Sequence, residues 1–73
     1  MEQYYVLKKK SDEYFYGFEE GVGIPKFGEF NLSLLYTFND VNSAQQCEKI
    51  LEAQGHLDVL VVELVISLRP VEE

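Results

Sequence analysis

The thirteen residues from Leu57 to Arg69, Leu-Asp-Val-Leu-Val-Val-Glu-Leu-Val-Ile-Ser-Leu-Arg, constrain this chain more than any other stretch. Six of them are Val, Ile or Ser, and none is Gly or Pro. That composition favours a strand over a helix. Side chains alternate across a strand. Asp58, Leu60, Val62, Leu64, Ile66 and Leu68 then share an almost wholly apolar face. Val59, Val61, Glu63, Val65, Ser67 and Arg69 share a mixed one. A fold built on this run must cover the first face and find a use for the second.

Size limits what can do the covering. A chain of 73 residues is one domain, residues 1–73. A domain this small buries only about 60% of its unfolded surface and is marginal. One Cys excludes an internal disulfide, and no Cys/His cluster marks a zinc site. Stability must come from packing, which a second subunit can assist. An apolar content of 47%, with five Tyr and five Phe, suffices for a core and argues against disorder.

Taken in order, Gln3–Lys9 is β-prone, Lys10-Ser11-Asp12 reads as a turn, and Glu13–Glu19 resumes a strand. Together they predict a hairpin, with Gly17 marking a bulge or a close backbone approach. Glu20–Glu29 holds three Gly and one Pro and is expected to be irregular. Phe30–Phe38 has the cleanest alternation in the chain. Phe30, Leu32, Leu34, Tyr36 and Phe38 fall on one face, which predicts a half-buried strand.

Val41, Ala44, Cys47, Ile50 and Leu51 then recur at helical spacing. They place a helix at about Asn42 to Gln54. Asn42 with Gln45, or Ser43 with Gln46, offers a capping box, and Gly55 is suited to end the helix. The expected fold is α+β in the order β-β-β-α-β, one four-stranded mixed sheet with a single helix packed on one face. The last two strands flank the helix and are expected to run parallel through a right-handed crossover. The even face of the last strand is expected to meet the helix.

At about 3.3 Å per residue the last strand would reach about 40 Å. A compact domain of this length spans roughly 30 Å. The strand must therefore bend or project. With the helix spent on the even face, Val59, Val61, Glu63 and Val65 are left for self-association, and a homodimer is expected.

The net charge of −7, from 13 acidic and 6 basic residues, argues against direct nucleic-acid binding, which depends on Lys and Arg neutralising phosphates. It suits a basic protein partner or mimicry of a polyanion. Met1–Lys10 has no apolar signal-peptide core, and the final run is too short and too charged to span a bilayer. A cytoplasmic protein without membrane contact is expected.

The Gly-rich loop is not a phosphate cradle. It lacks the Gly-Lys-Ser/Thr ending and precedes a strand rather than a helix. It reads either as a flexible connection between two strands or as a partner-binding loop that presents Ile24, Lys26 and Phe27, flanked by Asp12, Glu13, Glu19, Glu20 and Glu29. Lys8-Lys9-Lys10 reads as a solvated hairpin tip, Cys47 as a core residue, and His56 as a single cation favoured at the helix end. No catalytic constellation, cofactor motif or metal cluster can be built from these spacings.

The sequence from Tyr36-Thr-Phe38 through Ser43-Ala-Gln-Gln-Cys-Glu-Lys-Ile-Leu51 to Val61-Val-Glu-Leu-Val65 resembles small phage and prophage accessory proteins of strand, capped helix and Val-rich closing strand. That resemblance implies a small acidic inhibitor of a host enzyme, of anti-CRISPR type. It transfers no site residues. The leading expectation is a non-enzymatic protein that blocks a basic groove of a nucleic-acid-handling protein. A self-associating assembly protein comes second, and a small-ligand carrier or enzyme third.

Overall fold

A computed structural model describes residues 2–66. Four strands form one sheet: β1 (Glu2–Lys9), β2 (Tyr14–Phe18), β3 (Pro25–Gly28) and β4 (Val59–Ile66). One helix, α1 (Val41–Ala53), precedes β4. The fold is α+β in the order β-β-β-α-β. The strand order is β3-β2-β1-β4, and each neighbouring pair is antiparallel.

The sheet is therefore not mixed, and β3 and β4 are not joined as a parallel crossover. They occupy opposite edges, and the chain between them crosses the sheet. The reason lies in β1, which pairs with β4 without a break from Glu2–Ile66 to Lys9–Val59. Once β1 takes β4 as its neighbour, the place beside β3 is closed to it. The expected extension of the last strand over Ser67–Arg69 lies outside the described residues. The fold extends 50 Å along its longest axis, so β4 needs no bend to be accommodated.

The third strand is also not where alternation placed it. β3 lies inside the Gly- and Pro-containing stretch, as Pro-Lys-Phe-Gly. An edge strand tolerates this composition because its outer side needs no ladder partner. Gly28 is required there, since a Cβ at this position would come within 2.6 Å of the Tyr16 ring. A register shift between Phe15 and Gly17 marks a bulge in β2, where Gly17 takes a φ of +104°.

Phe30–Phe38 is a loop over most of its length. Asn31 captures its own neighbours: the Asn31 side-chain oxygen accepts from the Ser33 N–H at 3.0 Å. The Asn31 carbonyl accepts from the Leu34 and Leu35 N–H groups. These local bonds form one helical turn in place of a ladder. Only the end of the segment joins the sheet. β1 and β2 pair at Lys8–Tyr14 and the chain near Tyr36–Phe38 then bonds to both. The Tyr36 N–H donates to Phe15 C=O (3.1 Å) on β2, while Phe38 and Tyr5 of β1 exchange two bonds at 2.8 and 2.9 Å.

The helix begins at Val41, one residue before the expected start, and its cap is Asp40 rather than Asn42 or Ser43. Asp40 Oδ1 accepts from the Ser43 N–H at 2.8 Å, and Oδ2 accepts from Ser43 Oγ at 3.0 Å, a side-chain cap in which Ser43 donates twice to one carboxylate. The other end closes as a Schellman motif: the His56 N–H reaches Leu51 C=O, and the Gly55 N–H reaches Glu52 C=O, each at 3.0 Å. Gly55 has the expected left-handed φ of +99°.

Ala44, Cys47 and Leu51 of the helix pack with Leu7, Phe15 and Val59, and Tyr5, Phe27, Phe38 and Val61 lie against this core. The helix-facing residues of β4 are therefore the odd ones. Val59 is 6% exposed, whereas Leu60, on the opposite face, is 42% exposed. Both faces of β4 are apolar enough to be covered, so composition could not decide between them; the unbroken β1 register does. Val59 and Val61 are consequently not free for side-chain self-association. Val41 and Ile50, expected on the buried stripe, are exposed.

Candidate functional site

The face opposite the helix carries the most distinctive surface, and β2 builds it. Phe15 points into the helix-side core, so its neighbours Tyr14 and Tyr16 point the other way. The Tyr16 hydroxyl donates to Glu29 C=O. The Tyr14 ring meets Phe30 edge-on, with centroids 5.2 Å apart. The two tyrosines thus pin the chain just beyond β3 to the sheet. The Asn31 turn follows at once, and Tyr36 then ties the far end to Phe15 C=O.

Between these anchors Phe30, Leu32 and Leu34 are 54%, 53% and 53% exposed. Three large apolar side chains are held toward water on a short turn fixed at both ends. A single exposed Leu is ordinary on a protein surface; three large apolar residues exposed on one short turn are less so. Alternation placed these residues on the apolar face of a half-buried strand; the turn exposes them instead.

The acidic residues expected to act together are divided. Tyr14 lies opposite Gly28, so Asp12, Glu13 and Glu29 cluster at one end of the sheet, beside Phe30. Glu19 and Glu20 belong to the turn at the other end, where the Glu19 N–H bonds Ile24 C=O at 2.7 Å. Asp12 is already engaged by Lys8 Nζ at 2.9 Å. That hydrogen bond, and then the carboxylate's charge, hold the Lys8 ammonium above the ordinary lysine range. Among the described residues this is the one ion pair, and Glu13 and Glu29 are exposed.

The proposed contacts in the β2–β3 region differ in kind. Ile24 is 56% exposed and Lys26 is also exposed. Phe27 is not a projecting anchor. Its ring packs on Phe15 (5.7 Å) and His56 (5.5 Å), with Lys9 Nζ 4.2 Å from its centroid. Glu63 and Val65 are exposed on β4. Cys47 is buried in the core, and burial pushes its thiol pKa up.

Among the described residues, no three His, Cys, Asp or Glu side chains converge as a metal site, and no helix is long and apolar enough to cross a membrane. No family model, curated protein or solved structure matches this chain.

Proposed function

We propose that this protein is a non-enzymatic binding protein that seats the turn Phe30–Leu34 in an apolar cleft of another protein. Glu13 and Glu29 then meet basic side chains at the rim of that cleft. The observation that carries this reading is the pair of anchors on the exposed turn, Tyr14–Phe30 on one side and Tyr36–Phe15 on the other. A contact loop fixed before binding loses less conformational entropy when it binds.

The net charge of −7 supports a basic partner, and the groove of a nucleic-acid-handling protein supplies both features. The resemblance to small phage accessory proteins favours an inhibitor of such a protein. A single buried free thiol suits the reducing cytoplasm.

The test is capture from native-host extract by the immobilised chain, compared with a Leu32→Ser/Leu34→Ser variant. Both side chains are exposed, so the variant keeps the fold. The expected result is a basic protein held by the wild type, lost by the variant, and released progressively as salt screens the rim. Equal capture by the two proteins would overturn the reading.

A further inference from the structure

The two edges of the sheet differ sharply. β3 is four residues long, begins with Pro25 and ends with Gly28. A short strand with a proline offers little to an incoming chain. β4 is eight residues long, Val-Leu-Val-Val-Glu-Leu-Val-Ile, with Glu63 as its one charge. Its register with β1 runs without a bulge. Among the described residues no strand lies beyond it, and no further backbone hydrogen bond from another element reaches Val59–Ile66. A long, regular, apolar edge of this kind is a template for strand pairing.

We propose that a second copy of this chain occupies that edge, with the two β4 strands antiparallel and Val62 facing Val62 across a two-fold axis. The four strands of each copy then form one continuous sheet with both helices on the same side.

Self-complementarity favours a second copy. A two-fold axis normal to the sheet sets residues of one face opposite residues of the same face, so the pairing must centre on a residue. Centring on Glu63 would put two carboxylates directly opposite, which is unfavourable. Centring on Leu64 would leave the start of β4 without a partner inside the described strand. Centring on Val62 pairs Leu60 with Leu64, Val59 with Val65 and Val61 with Glu63.

This register separates the carboxylates by a diagonal and engages the strand from Val59 to Val65. Leu60, 42% exposed, joins Val62 and Leu64 of both copies in one apolar strip on the helix-free face. Val65, 46% exposed, gains Val59 as its neighbour on the other. Association through β4 therefore uses the backbone edge and the even residues, whereas Val59 and Val61 keep their places in the core.

Sedimentation of the full chain over a range of concentrations tests the dimer, and two variants test the register. The wild type is expected to double its mass reversibly. Val62→Lys, which sets two ammonium groups face to face, should weaken dimerisation by at least about tenfold, with an unchanged circular dichroism spectrum.

In a Cys47→Ala background, Val62→Cys should form an interchain disulfide on mild oxidation. Opposed Cβ atoms about 4.5–5.5 Å apart lie near disulfide range. Leu64→Cys should not, since its copies would stand about 13 Å apart along the strands. This readout does not depend on how well Val62→Lys folds. A wild type that stays monomeric at high micromolar concentration would overturn the proposal. Cross-linking through Leu64→Cys instead of Val62→Cys would overturn the register.

Discussion

The Tyr36 ring lies against Gly17, so closely that a Cβ added to Gly17 would stand 3.0 Å from Tyr36 Cδ2. Gly17 also has a φ of +104°, which side-chain-bearing residues rarely adopt. The bulge in β2 and the entry of Tyr36 into the sheet therefore depend on one missing methyl group.

Gly17→Ala should destabilise the protein by about 1–3 kcal/mol, from backbone strain together with displacement of the ring. Gly21 has a φ of +86° but no atom within 4 Å of the added Cβ, so Gly21→Ala should cost less. Urea denaturation of both variants measures the difference. Equal losses would show that the Tyr36 contact contributes nothing.

Phe15 is wholly buried and contacts the rings of Phe18, Phe27 and Tyr36. Phe15→Ala should cost about 3–5 kcal/mol, a large share of what a small domain has available. The expected outcome is a chain that is largely unfolded at 37 °C by circular dichroism. A cooperative transition near the wild-type midpoint would contradict the place given to this ring.

The Asp40 carboxyl is held below the usual carboxylate range, first by the hydrogen bond from the Ser43 backbone N–H and then by the Ser43 hydroxyl. A lowered folded-state pKa gives stability that is present above the unfolded value, about 3.9, and is lost as pH falls through the folded value. Asp40→Ala should therefore lower the thermal midpoint at neutral pH, and its difference from wild type should shrink on acidification below about pH 4. Asp40→Ser, which keeps an acceptor, should recover much of the midpoint without that pH dependence. Melting curves from pH 7 to pH 2 separate these outcomes.

Cys47 is 8% exposed, and burial raises its thiol pKa. A thiol-reactive dye should label the native protein far more slowly than the denatured one. Leu51→Ala, which opens the same core, should speed labelling while the protein is still mostly folded. Prompt labelling of the native wild type would show that the helix does not seal this site.

Much of the architecture was legible in the residues because local chemistry and tertiary structure agree there. The hairpin turn, the helix with Gly55 after it and the strand quality of Val59–Ile66 follow from that agreement. The failures share a physical origin. β4 is apolar on both faces, so only its pairing with β1 could choose the one that meets the helix. Phe30–Phe38 alternates like a strand, yet Asn31 closes a turn on itself, and only the end of the segment, Tyr36–Phe38, reaches the sheet. Pro25-Lys-Phe-Gly28 looks irregular because an edge strand relaxes the rules that govern a central one. The acidic residues could be counted from the sequence, but their division between two ends follows from the Tyr14–Gly28 pairing.

The long register between β1 and β4 also sets an order of events. β1 is the first strand and its most extensive partner, β4, is the last of the four, while β2 pairs with it in register at Lys8–Tyr14 beside the hairpin turn. Pairings between residues so distant in sequence carry a loop-closure cost before they return anything, and they slow folding. During synthesis β1 therefore stays incompletely paired until β4 has been made. Release of β4 from the exit tunnel becomes the step that allows the sheet to close.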